Sequence, residues 1–228
     1  MARIVKEHAV RRNEILDVAQ RLVYTKGYEQ MTIQDILDDL QISKGAFYHY
    51  FDSKQALLEA LIERMLDQGI QLILPIVQNP HLPALEKLQS YFATIARWRT
   101  AQKAFFLSLL RVWYNDDNAI VRQKMRSTIV IKGITSLLTG IIRQGIQEGV
   151  FTTSYPDQMG EVIVSLGFDF QETIGWQILS FDPKRDDMLS IERTVAVYTD
   201  AIERVLGAPK DSLQFIGTET LKEWLFSP

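Results

Sequence analysis

Nine consecutive residues, Ser43-Lys44-Gly45-Ala46-Phe47-Tyr48-His49-Tyr50-Phe51, concentrate groups able to recognise another molecule without reacting with it. Ser43 is an N-cap residue, and a helix that starts there turns free amides and a positive dipole end towards any phosphate in reach. Lys44 supplies a cation beside that end. Gly45 and Ala46 remove side-chain bulk, so the backbone can approach base edges or a thymine methyl in a major groove. Tyr48, His49 and Tyr50 add planar polar groups for phosphates and sugar edges, while Phe47 and Phe51 read as core aromatics. The chemistry implied is noncovalent binding of double-stranded DNA.

Such a segment needs elements to hold it. Ile15, Val18, Ala19, Leu22 and Val23 recur at helical spacing and predict an amphipathic helix from about Arg11 to Lys26, stopped by Gly27. Thr32, with Asp35 three residues on, opens a second helix of barely two turns through Ile33, Ile36, Leu37 and Leu40. Only Gln41 and Ile42 separate it from the Ser43 cap, so two short helices meet at a tight turn with the first helix packed across them, a helix-turn-helix. Asp52-Ser53 then caps a long helix to about Leu74, ended by Pro75, Pro80 and Pro83. Five further helices are expected: Pro83 to Arg99, Gln102 to Tyr114, Asp117 to Glu148, Pro156 to Phe181 and Met188 to Leu206. The segment from Lys210, with Leu221, Trp224 and Phe226, reads as a further short helix or a packed tail. No period-two pattern or internal repeat occurs, so the class is all-α.

Thr32-Ile33-Gln34-Asp35-Ile36-Leu37, then Ile42 through Phe51, then Lys54 and Leu57-Leu58, resembles the DNA-binding signature of TetR/AcrR-type transcriptional regulators over roughly the first quarter of the chain. The resemblance implies that Thr32, Gln34, Ser43, Tyr48, Tyr50 and Lys54 contact phosphates or the groove wall, and that Lys44, Gly45, Ala46 and His49 sit nearest the bases. It also implies a homodimer formed through the last two long helices, and a repressor released from its operator by a small molecule. The domains expected are a DNA-binding head over 1–53, a connecting helix over 54–74, and an effector-binding and dimerisation domain over 75–228. One position departs from the family: the turn residue commonly glycine is Gln41 here, where positive φ carries strain.

In the larger domain Gly160, Val164, Gly167 and Gln171 fall in a narrow helical arc and, with Tyr198 and Ile202 on the next helix, are candidates for the dimer seam; facing the monomer's own core is an equal alternative. Trp98, Phe105, Phe106, Trp113, Phe168 and Glu172 are the candidate effector pocket, apolar walls with a polar anchor. A protein partner docking on Leu221, Trp224 and Phe226 is the alternative to a small molecule.

Charge and composition narrow the rest. Twenty-five bases against 28 acids give a net charge of −3, so nucleic-acid binding must be local. Residues 1–56 hold eight bases and eight acids, with Asp35, Asp38 and Asp39 on the second helix, which shifts weight onto an arm of Arg3, Lys6, Arg11 and Arg12. The absence of cysteine excludes disulfides and thiolate metal sites and fits a reducing cytoplasm. The start of the chain lacks the apolar run of a signal peptide, and Lys132 interrupts the most apolar inner run, Ile129 to Ile142. His8, His49 and His81 are scattered, no nucleophile elbow or phosphate loop occurs, and the pairs Asp38-Asp39, Asp116-Asp117 and Asp186-Asp187 read as solvated caps. No catalytic residue, metal or cofactor is expected; an α-helical enzyme is the minor alternative.

Overall fold

The computed structural model describes residues 8–113 and 133–226, which form ten α-helices and no strand. They are α1 His8–Lys26, α2 Ile33–Leu40, α3 Lys44–Tyr48, α4 Lys54–Val77, α5 Ala84–Ala101, α6 Lys103–Trp113, α7 Ile134–Gln147, α8 Pro156–Ser180, α9 Leu189–Leu206 and α10 Thr218–Phe226. No helix among the described residues is long and apolar enough to cross a membrane.

The chain divides into two compact units. The first contains described residues 8–66 and 104–113, the second 67–103 and 133–226. These boundaries differ from the expected 53/54 and 74/75. The first three turns of α4 bury Leu57, Leu58 and Leu61 in the first unit, and α6 joins it because Phe105, 3% exposed, enters the cluster built on Ile15, Leu16, Ala19, Ile36 and Phe47. The Ser108 hydroxyl also donates to the Val23 carbonyl at 3.4 Å. Arg64 ties α4 to α1 through the Asp17 carboxylate at 2.6 Å and the Gln20 carboxamide.

In the second unit Leu138, Ile141 and Ile142 of α7, Ile163 and Val164 of α8, and Ile202 and Leu206 of α9 close around Ala84 and Leu88 of α5. Leu213 and Phe215 complete this core. The buried Glu203 carboxylate accepts the Asp211 and Leu213 amides at 3.0 and 2.8 Å, which satisfies both its oxygens and pins the segment after α9.

Several boundaries moved for identifiable reasons. α1 starts at His8, so Arg11 and Arg12 are helical and not part of a mobile arm; Arg3 and Lys6 lie outside the described residues. Pro75 does not end α4, which continues to Val77, and the Gln78 amide still reaches the Leu74 carbonyl at 2.9 Å. The helix expected from Asp117 is described only as α7, behind Gly133 at φ 87°; the apolar run from Ile129 lies partly outside the described residues.

The two glycines of the proposed seam separate sharply. A Cβ on Gly160 would stand 2.3 Å from Thr139 Oγ1 and 2.5 Å from the Thr135 carbonyl of α7, whereas one on Gly167 would meet nothing within 4 Å. Gly160 is therefore the contact that lets α8 lie against α7. Gly160→Ala should cost about 1–3 kcal/mol of stability. Gly167→Ala should leave it unchanged or raise it by up to about 1 kcal/mol through helix propensity. Urea denaturation at one protomer concentration compares them, and equal losses would contradict this packing.

Candidate nucleic-acid interface

The corner that presents α3 is assembled from capping interactions. The Thr32 hydroxyl accepts the Asp35 amide at 3.1 Å while the Asp35 carboxylate accepts the Thr32 amide at 2.7 Å, a reciprocal box that starts α2. α2 ends at Gln41, whose φ of 50° is left-handed, and the Gln41 and Ile42 amides both close on the Leu37 carbonyl. A non-glycine residue here stores roughly 1 kcal/mol of strain. Ser43 Oγ then accepts the Ala46 amide at 3.2 Å and starts α3.

α3 is only five residues long, and the Tyr50 and Phe51 amides both continue its turns by bonding to the Phe47 carbonyl. Phe47 is fully buried and Phe51 is 3% exposed. On the opposite side Lys44, Gly45, Tyr48 and His49 are exposed, with Ala46 and Tyr50 half-buried. Lys44 Nζ lies 5.8 Å from the Tyr48 ring centre. A Cβ at Gly45 would find only Ser43 Oγ, at 4.0 Å, so nothing in this fold requires glycine there.

Other expected contact residues have intramolecular partners. Gln34 donates to Asp38 at 2.7 Å, and Thr32 is engaged in its box. Lys54 donates to the Glu29 carbonyl at 3.2 Å and lies 4.4 Å from the Tyr28 ring centre, while Tyr28 donates back to the Lys54 carbonyl at 3.3 Å. Burial lowers the Lys54 ammonium below its ordinary value and raises the Tyr28 phenol above its own. Tyr28 was missed in the sequence; its place directly after the Gly27 stop is the available signal. His8 joins the corner from α1, its ring 4.6 Å from Tyr50 and 5.5 Å from His49.

Two of the three acids of α2 are ion-paired, and the third is hydrogen-bonded to a neutral carboxamide. Asp39 pairs with Arg21 at 2.6 Å, Asp38 accepts from Gln34, and Asp35 pairs with Lys26 at 2.5 Å. Arg11 pairs with Glu14, and Arg12 lies over the Phe51 ring.

The candidates in the second unit are dispersed. Phe105 and Phe106 are buried and belong to the first unit, while Trp98, Phe168 and Glu172 belong to the second. The Trp113 side chain lies outside the described residues. Of the seam residues, Gly160, Val164 and Ile202 face the chain's own core, Gln171 accepts from Arg99 Nη2 at 3.1 Å, and Tyr198 donates to Asp169. Only Gly167 among them is exposed. The exposed large apolar side chains on these helices are instead Trp176 on α8 and Leu189 and Val197 on α9, at 60%, 54% and 64%. Leu189 and Val197 line an open groove of about 460 Å³ with Thr173, Arg193 and Tyr198. Among the described residues no group of three or more acids and histidines could hold a metal ion.

Hydrogen bonding from Lys26 and then from Thr32 holds the Asp35 carboxyl at about 2, below its ordinary value near 3.8. A carboxyl depressed on folding stabilises in full above about pH 4 and loses that contribution as pH falls towards 2. The stability difference between the wild type and Asp35→Asn should therefore be largest near neutrality and shrink between pH 4 and 2. Denaturant titrations across that window measure it, and a difference independent of pH would count against the capping box.

A family model described as bacterial regulatory proteins of the tetR family matches residues 15–61, and a second, described as a tetracyclin repressor-like C-terminal domain, matches residues 113–202. The chain is 24% identical over 206 residues to the uncharacterized HTH-type transcriptional regulator YfiR of Bacillus subtilis, covering 88% of this chain and 96% of that protein. It is also 24% identical over 190 residues to the HTH-type transcriptional repressor NemR of Escherichia coli, covering 81% and 94%. Among solved structures, Thermus thermophilus FadR, a TetR-family repressor in complex with lauroyl-CoA, is similar in fold with a TM-score of 0.55 at 20% identity, over 83% of this chain and 93% of that one. The two family models together cover more than half of the sequence, and with the helix-turn-helix corner they place this chain in the TetR family of DNA-binding transcriptional regulators.

Proposed function

We propose that this protein is a cytoplasmic repressor that binds a two-fold-related operator in double-stranded DNA as a homodimer and leaves it when a small molecule occupies the second unit. The observation that carries the DNA-binding part is the division of α3 into a buried face, Phe47 with Phe51 behind it, and an exposed face of Lys44, Gly45, Tyr48 and His49. On this reading Lys44 and Tyr48 meet phosphate or base edges and Gly45 gives clearance, while Thr32, Gln34 and Lys54 shape the corner as well as lining it. One such helix buries too little surface for specific binding, which favours two heads on one operator.

For the second copy, the exposed face of Trp176, Leu189 and Val197 on α8 and α9 is a better seam than the core-facing Gly160, Val164 and Ile202. For the effector, the second unit offers Trp98 and Phe168 with the hydrogen-bonded pair Arg99 and Gln171. The name of NemR as a repressor and the lauroyl-CoA in the FadR structure support repression and ligand control respectively.

Three substitutions in and just after α3 test the assignment of its faces, using a duplex selected from random-sequence DNA by the wild-type protein. Gly45→Leu should abolish binding without loss of stability, because its Cβ faces open space. Tyr48→Phe should weaken binding at unchanged stability. Phe51→Ala should cost roughly 3–5 kcal/mol of stability. Full binding by Gly45→Leu would refute this placement of the groove.

Phe168→Asn tests the effector region. Once a ligand that releases the duplex is found, this variant should lose the ligand response while holding the duplex within a few-fold of wild type in its absence. A wild-type response would move the effector site elsewhere.

A further inference from the structure

Lys54, the first residue of α4, is held by the turn that follows α1. Its ammonium lies 4.4 Å from the centre of the Tyr28 ring and donates to the Glu29 carbonyl at 3.2 Å, while the Tyr28 hydroxyl donates back to the Lys54 carbonyl at 3.3 Å. Tyr28 is itself fixed, half-buried against the main core of the first unit and against Leu58 and Ile62 of α4. A lysine on an open surface samples many rotamers of its four-carbon stem, and a contact that restricts them in advance removes that cost from binding.

These contacts do not use up the ammonium. It carries three N–H donors. One serves the Glu29 carbonyl and the ring face occupies a second direction, which leaves a third for another acceptor. Lys54 is only half-buried, so that acceptor can come from outside. The charges that act on it are those of Glu29, Asp35 and Lys26, which place it beside the Thr32 and Asp35 box at the start of α2. Asp35 is already engaged there, by Lys26 at 2.5 Å and by the Thr32 amide at 2.7 Å. Burial is the largest influence on the Lys54 ammonium and lowers it below its ordinary value, and a partly desolvated cation feels a new anion more strongly than a fully hydrated one.

We propose that Tyr28 is a positioning residue for DNA binding: its ring face and hydroxyl hold Lys54 so that the third donor of the ammonium meets a backbone phosphate beside the start of α2. The negative face of the ring attracts the cation without taking a full hydrogen bond, so it restrains the ammonium and still lets a phosphate oxygen compete for it. The hydroxyl steadies the backbone from which the lysine stem grows. A contact of this kind reads no base; it fixes the register in which Lys44 and Tyr48 meet the groove.

The proposal rests on the DNA-binding reading, and the test separates the two. Affinity of the full-length protein for the selected duplex is measured at several salt concentrations. Lys54→Met should weaken binding about tenfold, as for the loss of one charge-assisted hydrogen bond, and lower the salt slope by about one. Tyr28→pentafluorophenylalanine, compared with Tyr28→Phe, keeps the shape and burial of the ring and reverses the charge on its face. With Lys54 present the fluorinated ring should bind DNA about threefold or more weakly than Tyr28→Phe, with a shallower salt slope; with Lys54→Met the two rings should bind alike. A ring that served only the core would weaken binding equally in both backgrounds and leave the slope unchanged. That result, or binding by Lys54→Met as tight and as salt-dependent as the wild type, overturns the positioning role and leaves DNA binding by α3 standing. If the wild type selects no duplex, the DNA-binding reading itself fails and takes the phosphate contact with it.

Discussion

The burial of Phe47 is the contact on which the proposed function depends. A helix of five residues forms too few internal hydrogen bonds to repay its own nucleation. α3 persists because one side is anchored in a core drawn from α1, α2, α4 and α6, and that anchoring leaves Lys44, Gly45 and Tyr48 on the other side. The polar caps work in the same direction: Thr32 with Asp35 and Ser43 with the Ala46 amide fix where α2 and α3 begin, and the strained Gln41 fixes the turn between them. Rigidity of the corner then costs little on binding, since its side chains are already placed.

Electrostatics follow from how the charges are paired more than from how many there are. A head with as many acids as bases is a poor match for phosphate if each charge acts independently. Here Arg21, Lys26 and Gln34 engage the three α2 carboxylates, and Lys44 stands exposed at the start of α3. Surface pairs of this kind add little stability. Their effect is to shape the local field near α3.

Local patterns were readable wherever a residue's neighbours in sequence are also its partners in space. The α1 stripe, the Thr32 box, the Ser43 cap and the two faces of α3 are of this kind, and each is found where the sequence places it. What failed depends on distant partners. Phe105 is recognisably buried from its type, but only the tertiary fold places it in the head core. Gly160 and Gly167 share a helical arc, and only the position of α7 makes one a tight contact and leaves the other open. Pro75 shows the converse: a strong local breaker lies inside α4, which runs on to Val77. Lys54 was chosen for its place at a helix start, yet Tyr28 and Glu29, 26 and 25 residues away, hold it.

The central claim is that the exposed face of α3 is the surface that touches DNA. The most direct measurement places p-azidophenylalanine, close to tyrosine in shape, at Tyr48 and, as a control, at Tyr155, which is 68% exposed in the second unit. Irradiation with the selected duplex should join the protein to DNA from position 48 and not from position 155. Crosslinks from 155 with none from 48 would contradict the account.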